Sequence, residues 1–392
     1  MSTSKRKTGD SGKNAVTNNL SSWFSWQRAL LLVIPLMIYG KTVRFEFADT
    51  DRLHIAENLA VQQGLGGIGD IFLTAPAIGE VYRPLTMTLF AVERAIFGSS
   101  AKWAHGINVL LYLILLQLLL TLMNKLYSGK QSWFVLSAML LFSLHPVHAD
   151  IVAHVDNRHE LMSMLLGVMA WNRFLNTEKN LGVAQYSVIF LISILALLSG
   201  PGAFIILLML PVSAWLLKGY TFSDWKPAFS ALGGAIALWI IMRYLVARDP
   251  EPADVILPLQ NIMYSAEGIL QKTATALALL LQYLGLLVYP VAMSRDFSFA
   301  EMEVAGWNSV TPFITLLLVI ALVSGALKAT KNRPETGNAF IFLLVSLLPA
   351  AQIFSLAGST IDKSLLFVPT LALALVLVSL VLLITEKMAA RG

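Results

Sequence analysis

Apolar residues run along this chain in blocks separated by short polar connections. Most blocks approach or fall within the roughly 17–25 residues that a helix needs to cross the hydrocarbon core of a bilayer. Ten of them, at 27–43, 104–123, 132–152, 159–175, 183–199, 202–217, 228–247, 311–327, 338–355 and 364–385, predict membrane-spanning helices. An eleventh apolar block, 268–292, is long enough to span but leaves its crossing open. The expected fold class is all-α: a polytopic helical bundle of about 10–11 transmembrane helices.

The connections carry the orientation signal. Basic residues concentrate in cytosolic loops, and here they lie at Lys125–Lys130, Arg173–Lys179, Lys218–Lys226, Lys328–Arg333 and Lys387–Arg391, with Lys5, Arg6 and Lys7 at the start. All fall on one side if 268–292 crosses an even number of times or lies in the interface. Ten crossings of the plasma (inner) membrane follow, with both termini cytosolic and the loop 44–103 facing the periplasm or its equivalent. The organisation expected is a disordered cytosolic arm (1–26), a transmembrane domain (27–385) and a short cytosolic tail (386–392). The first apolar stretch begins only near Trp23, so no cleavable signal peptide is expected.

Composition sharpens this reading. Hydrophobic residues make up 57% of the chain and charged residues 13%, against roughly 25% charged in soluble domains. The net charge of +5 sits in short loops, which speaks for orientation and against nucleic acid. Cysteine is absent, which excludes disulfides, thiol catalysis and thiolate metal sites.

The candidate chemistry is one-sided, with all six histidines and most acids at the outer ends of spans. Asp49 and Asp51 follow the first span, and two residues apart in an extended segment they would point the same way. Such a pair can act as a base or hold a cation, although two solvated loop acids would read the same. The stretch 144–161, LHPVHADIVAHVDNRHEL, supplies His145, His148 and Glu160. It matches no recognised zinc spacing, and a polar hinge between spans explains it as well. Arg83 precedes Pro84, a pairing suited to a helix start where an arginine can meet phosphate or snorkel to the interface. Asp362 and Lys363 open the last span.

These motifs, in this order, resemble the GT-C class of polytopic glycosyltransferases. They are most similar to the membrane portion of the transmembrane-and-tetratricopeptide O-mannosyltransferases and their bacterial relatives. The likeness runs from about 30 to 385 through the acidic motif, YRPLT, WAHGINVLLY, HPVHADIVAHVDNRHEL, YPVAMSRDFSF and FVPT. The resemblance implies inverting transfer of a monosaccharide from a polyprenyl-phosphate donor to the hydroxyl of a protein or envelope glycan. It implies Asp49 or Asp51 as base, Arg83, Arg158, Arg295 and Lys363 on the donor phosphate, and His145, His148, Glu160 and Asp296 around the pocket. It fixes no cofactor, and a divalent cation stays open. The partners implied are the lipid-linked sugar, its acceptor and membrane lipid. The chain departs from the family in its split acid pair, in Ser199, Gly200 and Pro201 where a Lys-Glu pair is usual, and in Lys363 and Ser364 where Glu-Arg is usual. Two other classes stay in view: a transporter or flippase of lipid-linked sugar, whose pathway the same outward arginines and acids would line, and an inactive assembly partner, which those departures would suit.

Overall fold

A computed structural model describes residues 25–76, 81–128, 132–176, 182–246, 261–290, 302–352 and 359–390, apart from the side chains of Asp49, Ser132, Phe222, Trp225 and Pro227. Residues 1–24 of the arm 1–26 expected to be disordered lie outside the described residues, and Trp26 opens the first helix. The described chain is helical throughout, with no strand among the described residues. The long helices are α1 (Trp26–Tyr39), α2 (Pro84–Phe97), α3 (Ala101–Leu126), α4 (Ser132–Ser143), α5 (Arg158–Leu175) and α6 (Val183–Ser199). They continue as α7 (Gly202–Lys218), α8 (Phe222–Val246), α9 (Gly268–Val288), α10 (Thr311–Asn332), α11 (Pro334–Ser346) and α12 (Phe367–Ala389).

Six helical stretches among the described residues are long and apolar enough to cross a membrane: Ala101–Leu126, Ala228–Val246, Gly268–Val288, Thr311–Asn332, Pro334–Ala351 and Lys363–Ala389. Consecutive helices pack against each other, α5 on α6, α10 on α11 and α11 on α12, while α5 also packs on α3 and α7. The α5–α7 contact depends on a small residue. A Cβ at Gly167 would lie 2.8 Å from Cγ2 of Ile206, so glycine lets these backbones approach closely. α3, α5 and α12 carry the core, with Tyr112, Trp171 and Phe367 fully buried.

Polar contacts define the two ends of the bundle. At one end Lys125 Nζ donates to Asn172 Oδ1 at 3.0 Å, Lys218 Nζ donates to the Lys125 carbonyl at 2.7 Å, and Arg333 pairs with Glu386. At the other end lie the loop 44–83, the hinge 144–157 and the start of α12. α9 has the length and composition of a span, and each of its ends is tied by a hydrogen bond to a connecting segment. The Leu287 carbonyl accepts from His145 Nε2 at 2.9 Å, and the Leu270 carbonyl accepts from Trp307 Nε1 at 2.8 Å, just before α10.

Three boundaries differ from the expectation. The block 132–152 is not one helix: α4 stops at Ser143, and a short helix, His148–Ala153, follows. Pro146 lacks the N–H that would continue the ladder, and its ring clashes with the preceding turn. The block 338–355 instead starts at Pro334, and α11 ends at Ser346 before a 3₁₀ turn, Pro349–Ala351. The described part of the loop 44–103 is folded: short helical turns at Leu59–Gln62, Gly64–Gly67 and Ile68–Leu73 pack on α2.

Candidate active site

The site is built on the corner between the short helix His148–Ala153 and α5. The backbone turns through Val155–Asn157, and the polar groups freed there meet the first loop. Asp51 is 1% exposed, and its Oδ1 accepts the Asp156 N–H at 2.7 Å. Its other oxygen is buried without a hydrogen-bond partner among the described residues. Burial pushes the Asp51 carboxyl above its ordinary value, against the pull of the Asp156 and Val155 N–H groups. A buried carboxylate with one oxygen unengaged is an acceptor waiting for a donor, since such an atom carries a desolvation cost until it is paired.

Arg83 ties this corner to α2. Proline at the first turn of α2 leaves Arg83 as the residue before the helix. Its Nη1 donates to the Asp156 carbonyl at 2.8 Å and its Nη2 to Asp156 Oδ1 at 2.6 Å. His54 Nδ1 lies 3.0 Å from the same carboxylate oxygen. His159 Nδ1 lies 3.0 Å from the Asp156 carbonyl and 2.9 Å from Arg83 Nη1. Burial alone would raise the Asp156 carboxyl, but the Arg83 guanidinium and His54 hold it well below the usual range. The Arg83 charge is therefore neutralised inside the protein.

On the other flank His154 Nδ1 lies 3.0 Å from Asp150 Oδ1, and Lys363 Nζ approaches the same oxygen at 4.0 Å. The hydrogen bond to Asp150 raises His154 against the effect of burial. Burial raises the Asp362 carboxyl, the Ser364 N–H opposes this, and the charges of Asp150 and Asp156 raise it further. Acids from the first loop, the corner and the start of α12 thus share one neighbourhood.

Of the residues expected here, Asp51, Arg83, Glu160 and Lys363 come together around the corner. Glu160 is 3% exposed, with Oε1 3.4 Å from His159 Nε2. Asp49 begins the same short helix as Asp51, but its side chain lies outside the described residues, as do Arg295 and Asp296. His145 turns away to α9, its Nε2–H on the Leu287 carbonyl and its Nδ1 accepting the Val147 N–H at 3.3 Å. Burial lowers it, which suits the neutral ring that this pattern requires. His148 is fully buried and bridges Tyr112 on α3, at 2.7 Å, to Thr370 on α12, at 2.8 Å.

Arg158 is committed within the core. Its Nε donates to Asn108 Oδ1 at 2.6 Å, Nη2 to the Ala104 carbonyl at 2.8 Å and Nη1 to Glu93, while the guanidinium lies 4.5 Å from the Phe90 ring centre. Among the described residues no group of three or more His, Asp or Glu is placed to share a metal ion.

Sequence reasoning missed Asp156 as the hub, and Glu93 and Asn108 as anchors of Arg158. Both anchors carried a signal, an acid in the apolar run FAVERAIF and an amide inside WAHGINVLLY; polar groups in such segments require partners. The departure at Ser199–Pro201 also has a structural consequence. The Ser199 carbonyl accepts from Thr86 at 2.8 Å, and a Cβ at Gly200 would lie 2.9 Å from the His159 carbonyl oxygen. A side chain at 200 does not fit without movement of the corner.

No family model matches the chain, and no solved structure matches it. Curated relatives do. The protein O-mannosyl-transferase TMTC1 of Mus musculus is 30% identical over 162 residues, 39% of this chain and 17% of that protein. TMTC1 of Homo sapiens is 27% identical over 152 residues, 36% of this chain and 17% of that protein. TMTC4 of Mus musculus is 24% identical over 177 residues, 40% of this chain and 24% of that protein. The matched stretch is thus under a quarter of the length of each relative. The resemblance carried by the motifs and the sequence comparisons point the same way: over 36–40% of its length, the chain is related to the protein O-mannosyl-transferases of the TMTC group.

Proposed function

We propose that the chain is an inverting glycosyltransferase that moves a monosaccharide from a polyprenyl-phosphate carrier to an acceptor hydroxyl. The observation that carries the reading is Asp51, a buried carboxylate with one oxygen held by the Asp156 N–H and the other unengaged. The acceptor O–H gives its proton to that oxygen as its own oxygen attacks the anomeric carbon. The bond from the anomeric carbon to phosphate breaks, and polyprenyl phosphate leaves with the electron pair. Phosphate is already a good leaving group, so a base matters more here than an acid. Lys363 and Arg295 are assigned to the developing phosphate charge. One well-placed donor to such charge contributes about 2.7–4 kcal/mol in comparable sites. Arg83 and Arg158, whose donors are engaged inside the protein, hold the frame. The site end of the bundle is assigned to the periplasm or its equivalent, the opposite, lysine-bearing end to the cytosol, and α9 to the interface. The acceptor is assigned as a protein hydroxyl, in keeping with the relatives, which are protein O-mannosyl-transferases.

The test is incubation of the purified chain, in native lipid, with a panel of polyprenyl-phosphate monosaccharides. Release of polyprenyl phosphate from one donor, with the transferred sugar inverted at its anomeric carbon, is expected. Binding of the carriers without release from any would move the reading to a transporter or an inactive partner.

A further inference from the structure

A cavity of about 550 Å³ opens beside the corner, between the turns 58–76 of the first loop and the start of α2. Its size lies within the 300–1,000 Å³ usual for ligand pockets, room for a few residues of peptide and not for a folded partner. His54 and Arg83 form the wall it shares with the Asp156 hub. Two bonds link that wall to the proposed base, since Asp156 holds His54 and Arg83 through its carboxylate and Asp51 through its N–H.

The charge of the lining decides what fits. Arg83 is the cavity's guanidinium, and its charge is already met by the Asp156 carboxylate at 2.6 Å. Asp70 is exposed in the lining and makes no ion pair among the described residues. A phosphate entering here would face a carboxylate with no uncommitted lysine or arginine among the lining residues, and charge complementarity of this kind selects partners. Lys363 is not among the lining residues and stands at Asp150, 4.0 Å from its Oδ1. The remaining polar lining groups include the amides of Asn58 and Gln63 and the hydroxyl of Thr74, which suit the backbone of an extended peptide.

We propose that this cavity is the acceptor subsite, and that it takes a short, extended peptide segment bearing a Ser or Thr beside a lysine or arginine that meets Asp70. The donor then reaches the corner from the Lys363 side, and Asp51 is joined to the cavity wall through Asp156. This rests on the transferase reading for its meaning, but the subsite itself is tested by binding alone. Fluorescence anisotropy would be measured with the full chain and two labelled hexapeptides, each with a central threonine, flanked by lysines in one and by glutamates in the other.

Wild type is expected to bind the lysine peptide at least tenfold tighter than the glutamate peptide. Asp70→Asn should erase that preference, Asp70→Lys should reverse it, and Ala75→Trp, which fills the cavity, should weaken both peptides. Equal binding of the two peptides by wild type, or a preference that survives Asp70→Lys, overturns the proposal. Intact peptide selection in a protein that releases no polyprenyl phosphate would keep the subsite and sink the transferase. Donor release with no peptide selection would do the reverse.

Discussion

Asp51 is a group whose protonation must matter to both stability and turnover. Burial holds its carboxyl above the ordinary 3.8, so the folded state favours the neutral acid. Above that ordinary value the unfolded chain is ionised, so the folded site carries a cost that grows with pH and is complete once pH exceeds the folded value. Asp51→Asn keeps an oxygen for the Asp156 N–H and removes that cost. The variant should melt at a higher temperature than wild type near neutral pH, with the gain shrinking as pH falls toward 3.8. As the proposed base Asp51 must be ionised to work, so kcat/KM should rise with pH along a limb displaced above the ordinary aspartate value, measured over a pH series with one donor. Arg158 gives a contrasting residue-scale prediction. Breaking a buried ion pair by removing one partner costs about 3–5 kcal/mol, whereas replacing both with apolar residues is often neutral. Arg158→Met should therefore unfold at markedly lower temperature, and adding Glu93→Leu should recover part of the loss. Equal melting of wild type and Arg158→Met would show that the pair carries no structural weight.

The helical elements were legible because their pattern is physical and local: an apolar block of sufficient length has few alternatives. Where the blocks were misread, a single residue decided. Pro146 ends α4 at Ser143, and Pro349 stands just beyond the end of α11. The folded loop 44–103 was less legible, since its turns are held by close approach and not by periodicity. A Cβ at Gly67 would lie 1.9 Å from the Ala60 carbonyl oxygen, so Gly67→Ala must unseat the turns that line the cavity. Faster hydrogen exchange over 59–73 in that variant is the expected outcome. The hub was legible only in part. Asp51, Arg83 and Glu160 stand in recognisable motifs, but that Asp156 joins them follows from tertiary packing of two segments about a hundred residues apart. At Gly200 the same corner makes a steric prediction. Overpacking typically costs about 1–3 kcal/mol, so Gly200→Ala should lower the melting temperature and disturb the Thr86–Ser199 contact.

The whole molecule separates its chemistry by end. The carboxylates and histidines of the site gather at one end, while Lys125, Lys218 and the Arg333–Glu386 pair mark the other. A chain with no cysteine is well suited to testing how these ends face the membrane. Single cysteines at Asp70 and Ser99 should react with an impermeant thiol reagent from outside intact cells, and cysteines at Lys125 and Lys387 only after permeabilisation. The opposite pattern would turn the assigned orientation over. The most direct test of the central claim is the release of polyprenyl phosphate by wild type, Asp51→Asn and Asp49→Asn, each confirmed folded by its melting curve. With Asp51 as the base, Asp51→Asn abolishes release while Asp49→Asn retains it. Full turnover by Asp51→Asn, with loss in Asp49→Asn, would contradict it.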